Sequence, residues 1–218
     1  MIASAETVSR GVTMLLCGVL ALCGTAMAAE TPAVRTVVAD SEKAVVSAVS
    51  GARPGDVIIL KAGTYEFGRI RLATSGTPEN PIVLKAERRG AVSIRATNTV
   101  TFAITGANWI VEGFDIRGAC TPVERCEHAF HIVGNADNTV IRGNRLRDFN
   151  AAIKGNGVIR DGETRNAREL FPDNVRIEGN YLFNTAVRPT ASPVTPLDVV
   201  GGKGWVVREN LVADFHKG

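Results

Sequence analysis

The rhythm of apolar and polar positions changes once, near residue 50. Between Asp40 and Ser50, Ala44, Val45, Ala48 and Val49 recur at the spacing of one helical face. Asp40 or Ser41 can supply an N-cap oxygen, and Gly51 with Pro54-Gly55 stops the run. A short helix is predicted there. From Asp56 onward the pattern is one of short strands. Val57-Ile-Ile-Leu60, Ile82-Val-Leu84 and Trp109-Ile-Val111 are apolar and mostly β-branched, and Gly, Asn and Asp separate them at short intervals.

Two motif series then alternate. The first is Val111-Glu-Gly113-Phe-Asp-Ile116, Ile141-Arg-Gly143-Asn144-Arg-Leu146, Ile177-Glu-Gly179-Asn180-Tyr-Leu182 and Val207-Arg-Glu209-Asn210-Leu-Val212. The second is Phe102-Ala-Ile104-Thr-Gly106, Phe130-His-Ile132-Val-Gly134, Ala151-Ala-Ile153-Lys-Gly155 and Leu197-Asp-Val199-Val-Gly201. A fixed order with loops of variable length is the signature of a solenoid. The strands are too short for a horseshoe with helices, and each buries one alternate face against a narrow core. The expected fold is all-β, a β-helix of about six coils stacked strand on strand about 4.8 Å apart. The short helix at its N-terminus would cap it. An antiparallel sandwich could hold the same strands but does not require the two series to alternate.

The repeat assigns directions to side chains. Asn144, Asn180 and Asn210 fall at one turn position, where each amide can bond backbone and the next Asn. Gly106, Gly134, Gly155 and Gly201 mark a bend expected to need unusual dihedrals. Phe102, Phe114, Phe130, Phe149 and Phe183 are expected in the core. Aligning the second series puts 102, 104, 130, 132, 151, 153, 197 and 199 inward. One outward column is then Ala103, His131, Ala152 and Asp198; the next is Thr105, Val133, Lys154 and Val200. His131 and Lys154 lie on neighbouring coils, with Asp198 one coil further.

Composition narrows the classes. The 218 residues carry 25 Lys+Arg against 22 Asp+Glu, a net charge of +3, which argues against a dedicated nucleic-acid binder. With 45% apolar and 22% charged residues the chain is neither disordered nor fibrous. Three His and four Cys exclude a multi-Cys zinc module. Gly201-Gly-Lys203-Gly204 lacks the spacing of a phosphate loop.

Arg10, the apolar run Gly11 to Cys23 and the small-x-small site Ala26-Met27-Ala28 have the order of an export signal. Residues 1–28 are expected to be removed, leaving a β-helix domain over 29–218 in the periplasm or outside the cell, with no stable membrane span. The chain stops directly after a repeat strand, so a continuation into a longer protein is expected. Cleavage removes Cys17 and Cys23. Cys120 and Cys126 remain, six positions apart, as a disulfide staple worth about 2 kcal/mol or as two free thiols.

Three polar segments flank the second strand series: Arg117 to Glu127, Asn156 to Asp173 and Thr185 to Pro196. A flat strand face between loops makes a groove for an extended chain. Arg125, Arg160 and Arg188 are candidate substrate-binding residues, because Arg grips a carboxylate with two bonds. Glu124, Glu127, Asp161, Glu163 and Glu169 dilute the positive charge. Lys154 and His131 are candidate catalytic bases, and Asp198 and Glu127 are candidate calcium ligands, two of the six to eight oxygens an ion takes.

The segments Ala52-Arg-Pro54-Gly55-Asp56-Val-Ile-Ile-Leu60-Lys-Ala-Gly63-Thr64-Tyr65 and Gly76-Thr77-Pro-Glu-Asn80-Pro81-Ile-Val-Leu-Lys-Ala86-Glu87 resemble the first coils of the pectate-lyase-like family, which implies a right-handed parallel β-helix (solenoid). They are most similar to polysaccharide lyases of the alginate lyase and chondroitinase B type. The resemblance implies an exported protein acting on acidic polysaccharide. In that group a Lys/Arg pair removes the sugar C5 proton, and several members use calcium to neutralise the uronate carboxylate. No stretch of this chain carries that catalytic motif, so the resemblance assigns no residue. The leading expectation is recognition or eliminative cleavage of an acidic polysaccharide. A non-catalytic envelope protein that binds glycans or proteins is the second reading, and a glycoside hydrolase with paired carboxylates the third.

Overall fold

The computed structural model describes Met1, residues 34–158 and residues 170–217. The chain divides after Ala33, and the unit that begins at Val34 holds every described strand and helix. The export signal and its cleavage site lie outside the described residues, as does Arg160.

The second unit winds as the repeat predicts. Coil one holds β2 (Val57–Leu60), β3 (Gly63–Phe67) and β4 (Ile70–Leu72); coil two holds β5 (Ile82–Ala86), β6 (Val92–Ala96) and β7 (Val100–Ile104). Coil three holds β8 (Trp109–Glu112), β9 (Phe114–Gly118) and β10 (His128–Val133), and coil four β11 (Val140–Arg142), β12 (Arg145–Arg147) and β13 (Ala151–Asn156). Coil five holds β14 (Arg176–Glu178), β15 (Tyr181–Phe183) and β16 (Thr195–Val199); β17 (Val206–Arg208) and β18 (Leu211–Ala213) open a sixth. The first strands of the coils form sheet A, the second sheet B and the third sheet C, in uninterrupted parallel order. β1 (Thr36–Ala39) pairs with β2 and extends sheet A by one strand.

The N-terminal helix α1 (Glu42–Ser50) packs against the first strand of every sheet and closes that end. Ser41 is its cap, with Oγ accepting from the Ala44 N–H at 3.2 Å, and Val45 and Val49 are buried beneath it. Inside the cylinder Phe102 stacks on Phe130 of the next coil, with centroids 5.3 Å apart. Phe114 and Phe149 are buried in the same core.

The asparagine ladder forms as expected. Asn144 Nδ2 donates to Asn180 Oδ1 at 3.1 Å, and Asn180 Nδ2 to Asn210 Oδ1 at 3.0 Å. Each amide also donates to a carbonyl of the coil on its N-terminal side, at Val111, Ile141 and Ile177. Beside the ladder, Gly113, Gly143 and Gly179 have positive φ, and Glu209 adopts φ 58° at the equivalent place.

Two expectations need correction. Of the second glycine series only Gly134 has positive φ. Gly106 is needed for space, because a Cβ there would sit 2.2 Å from the Thr74 carbonyl oxygen. Phe183 is buried, at 8% exposure, but outside the core cluster: Leu182 belongs to the core, while Phe183 stacks on Tyr181 at 4.3 Å on the outer face of sheet B.

Candidate functional site

The outer face of sheet C gathers the titratable residues. Its register pairs Arg71 with Ala103, Ala103 with His131, His131 with Lys154 and Lys154 with Asp198. These residues form one outward column. Motif alignment places Lys154 one column away, because it matches Ile153 to Ile132. The structure instead pairs Ile153 with Phe130 and Gly155 with Ile132. Gly155 brings no side chain to its place, and the Trp205 ring crowds it so closely that a Cβ would lie 2.6 Å away. Packing, not motif similarity, sets the register of this strand.

Lys154 Nζ meets Asp198 Oδ2 at 2.5 Å, and both side chains are about three-quarters to two-thirds covered, at 25% and 32% exposure. Asn156 Nδ2 donates to the Gly157 carbonyl at 2.9 Å, which turns its Oδ1 to His131 Nε2. His131 must therefore carry its proton on Nε2, leaving the lone pair on Nδ1 when neutral. Burial holds the His131 pKa below the ordinary histidine value; the hydrogen bond to Asn156 opposes this, and the charges of Lys154 and Arg69 reinforce it. His128, not anticipated as a site residue, packs beside His131 with ring centroids 5.3 Å apart. Strand alternation would send His128 inward with Phe130, so nothing in the sequence pattern marks it. Its Nδ1 meets the Ala151 carbonyl at 2.7 Å, and burial lowers its pKa too. Around these groups the face is floored by the small buried residues Ala103, Ala129 and Ala152.

The disulfide loop stands at the edge of this face. Cys120 and Cys126 are bonded, with Cα atoms 5.5 Å apart, and a 3-10 turn, Val123–Arg125, lies between them. Arg125 is exposed on it. Arg188 departs from expectation, being 6% exposed. Its Nε donates to Asn150 Oδ1 at 3.1 Å and its terminal nitrogen to the Val123 carbonyl at 2.5 Å. It straps the 185–194 loop to the disulfide loop and presents no guanidinium to a ligand. Burial lowers its pKa, against the attraction of Asp148, Glu127 and Glu124.

Asp198 and Glu127 are not brought together. Glu127 lies two coils from Asp198 and four strand positions off its column, about 13 Å along the strand direction. Asp198 faces Lys154, and Glu127 accepts from Ser192 Oγ at 3.5 Å. Among the described residues no group of three or more His, Cys, Asp or Glu could hold a metal ion. Asp198 and Glu127, held apart, do not form a calcium site together.

A furrow of about 400 Å³ runs elsewhere, over the glycines at the A–B corner, with Glu112, Glu178 and Glu209 among its walls. Its acids are largely neutralised in place. Arg142 pairs with Glu112, and Glu178 accepts from Arg176 at 2.8 Å and Arg208 at 3.0 Å. Those bonds, that from Arg176 foremost, hold the Glu178 carboxyl below its usual pKa, the wrong direction for a general acid.

Three parallel sheets around one core, an internal asparagine ladder and a polar column on one outer face define a pectate-lyase-like β-helix protein. The profile of the chondroitinase B family matches residues 38–156, more than half of the chain. The chain belongs to that family. In fold it is similar to an alginate lyase from Paenibacillus sp. str. FPU-7, with TM-score 0.57 and 18% identity over 84% of this chain and 68% of that one. It is also similar to a rhamnogalacturonan lyase, with TM-score 0.54 and 16% identity over 82% of this chain and 51% of that one. The chain thus spans about two thirds of the first protein and half of the second. At these identities the likeness is one of fold. No curated protein sequence matches the chain.

Proposed function

We propose that the outer face of sheet C binds an acidic polysaccharide and cleaves it by β-elimination. The observation that carries this reading is the outward column in which a histidine biased towards its neutral form lies next to the Lys154–Asp198 pair. Membership of the chondroitinase B family supports the substrate class.

The roles follow from the protonation geometry. His131 accepts the proton from C5, the ring carbon beside the uronate carboxylate, on Nδ1. The electron pair left at C5 forms the C4–C5 double bond, and the glycosidic oxygen departs from C4 with the C4–O electron pair and takes a proton from water to become a hydroxyl. Negative charge grows on the carboxylate as the proton leaves, and the Lys154 ammonium meets it there. Asp198 takes one Lys154 donor and orients the side chain, leaving two donors for the ligand. Arg125, exposed on the disulfide loop, grips a carboxylate further along the chain. No step passes through calcium. Export to the periplasm or beyond belongs to the same reading, supported by the leader pattern and by a disulfide that forms in oxidising compartments.

The test is incubation of the soluble chain with alginate, pectate and glycosaminoglycans, following the ultraviolet absorbance of the unsaturated uronate end. Absorbance should rise with at least one acidic polymer and stay flat with a neutral glucan. A flat trace with every acidic polymer would remove the elimination reading and leave a non-catalytic glycan-binding or protein-binding protein.

A further inference from the structure

The outer face of sheet B carries a second charged array, away from the histidines. Its register stacks Arg95, Arg117 and Arg147 in one column along the cylinder axis, ending at Phe183. Arg145 stands in the neighbouring column, with its guanidinium 5.0 Å from the Phe183 ring centroid. Successive guanidinium stems are therefore about 4.8 Å apart on a parallel sheet.

Acidic neighbours lie mostly beneath these arginines. Arg117 is 54% exposed and its partner Asp148 9%, at 3.0 Å; Arg145 is 49% exposed and Asp115 16%, at 3.7 Å. An arriving ligand meets guanidinium first. The donors are also unsaturated. Among the described residues the side chains of Arg95, Arg145 and Arg147 make no hydrogen bond, and Arg147 Nε and Asp115 Oδ1 are buried 3.4 Å apart without a hydrogen-bond partner. Each guanidinium has five N–H donors, so most of the strip's capacity is free. Arg145 is held over two rings, a cation–π contact that orients it without neutralising it. Beside the column lies a furrow of about 430 Å³, with the Thr64 and Ser93 hydroxyls and the disulfide loop in its walls.

We infer that this face is a second, non-catalytic binding surface for an acidic polysaccharide, laid along the cylinder axis with successive carboxylates on Arg95, Arg117 and Arg147. The inference takes its ligand class from the proposed function. The local chemistry favours that class on its own terms: forked donors match carboxylates, and hydroxyl walls match sugar hydroxyls. Every one of the four arginines has an acidic neighbour, Asp115 serving both Arg145 and Arg147, so three negative charges face four positive ones, leaving a field too weak for a phosphate backbone but sufficient for short-range pairing. The disulfide loop borders this face as well as sheet C, so a polymer held on sheet B is delivered next to the site.

The experiment measures retention of the full chain by polyuronate in affinity electrophoresis, and separately its cleavage of a short oligouronate. Arg95→Gln/Arg145→Gln removes two exposed charges and should keep the wild-type melting temperature. It should bind the polymer about tenfold more weakly, the effect shrinking with salt, while cleaving the short substrate at the wild-type rate. Lys154→Ala should do the opposite, keeping retention and losing cleavage. If the double variant is retained like the wild type, or if the wild type binds polyuronate no better than single-stranded DNA, the inference is overturned. Retention that depends on the arginines in a protein that cleaves nothing would support this surface and count against the elimination reading alone.

Discussion

The outer faces of sheets B and C meet at one disulfide loop and are built on opposite principles. Sheet C surrounds its polar groups with alanines and leaves them half-buried, and burial lowers the pKa of His131 and His128. Sheet B lifts arginines into solvent over partly buried carboxylates and leaves their donors open. Desolvation makes a group reactive, because it destabilises one protonation state. Exposure makes a group available for pairing at little cost. The same cylinder thus separates a face suited to chemistry from one suited to grip.

The largest effect should come from removing the sheet C cation. Lys154→Ala should lower kcat by about 10²–10³, the usual loss for one stabiliser of transition-state charge, with a smaller change in KM. Steady-state kinetics on the most active polymer would check it. A uniform loss of binding with kcat intact would break the contrast between the faces.

The scaffold beneath both faces is shared, and its failure should not distinguish them. Asn180→Ala removes donors to Ile141 and Asn210 and strands the bonds from Asn144. Buried groups left unpaired cost about 1–3 kcal/mol. Urea unfolding should show that loss, with cleavage and polymer retention failing together at the same denaturant concentration. Cys120→Ala opens the loop that borders both faces, and should cost about 2 kcal/mol by chain entropy.

The smallest effect sharpens the contrast through pH. Burial depresses the folded-state pKa of His131 and His128 below the unfolded value of about 6.5. The unfolded chain then binds protons before the folded one as pH falls. Stability from these residues is complete above about pH 6.5 and is lost as pH drops through their folded-state values. Melting curves across that range should show the decline, and His131→Gln should flatten part of it. Substitution of Arg95 should leave the slope unchanged.

Much of this architecture is legible in the chain. Apolar spacing marks α1, and the Ile-x-Gly-Asn motif marks sheet A, the turn and sheet B, because each motif position has one fixed structural duty. His131 and Asp198 could be placed on a common outward column for the same reason. Lys154 could not, since Gly155 imitates the end of a strand motif while occupying an inward position beside Trp205. His128 escaped for a related reason: its strand parity predicts the core. Arg188 reads as a loop arginine, and only its bonds to Asn150 and Val123 across distant parts of the chain bury it. The arginines of sheet B sit in the repeat's outward positions. Their alignment becomes visible only when loops of different length are closed into coils.

The central claim is elimination on sheet C, and the masses of the products from a defined oligouronate test it most directly. Elimination breaks the chain without adding water, so the two product masses should sum to that of the parent, and Lys154→Ala should leave the parent essentially intact. Products summing to the parent plus one water, or the same products formed at the wild-type rate by Lys154→Ala, would contradict the account.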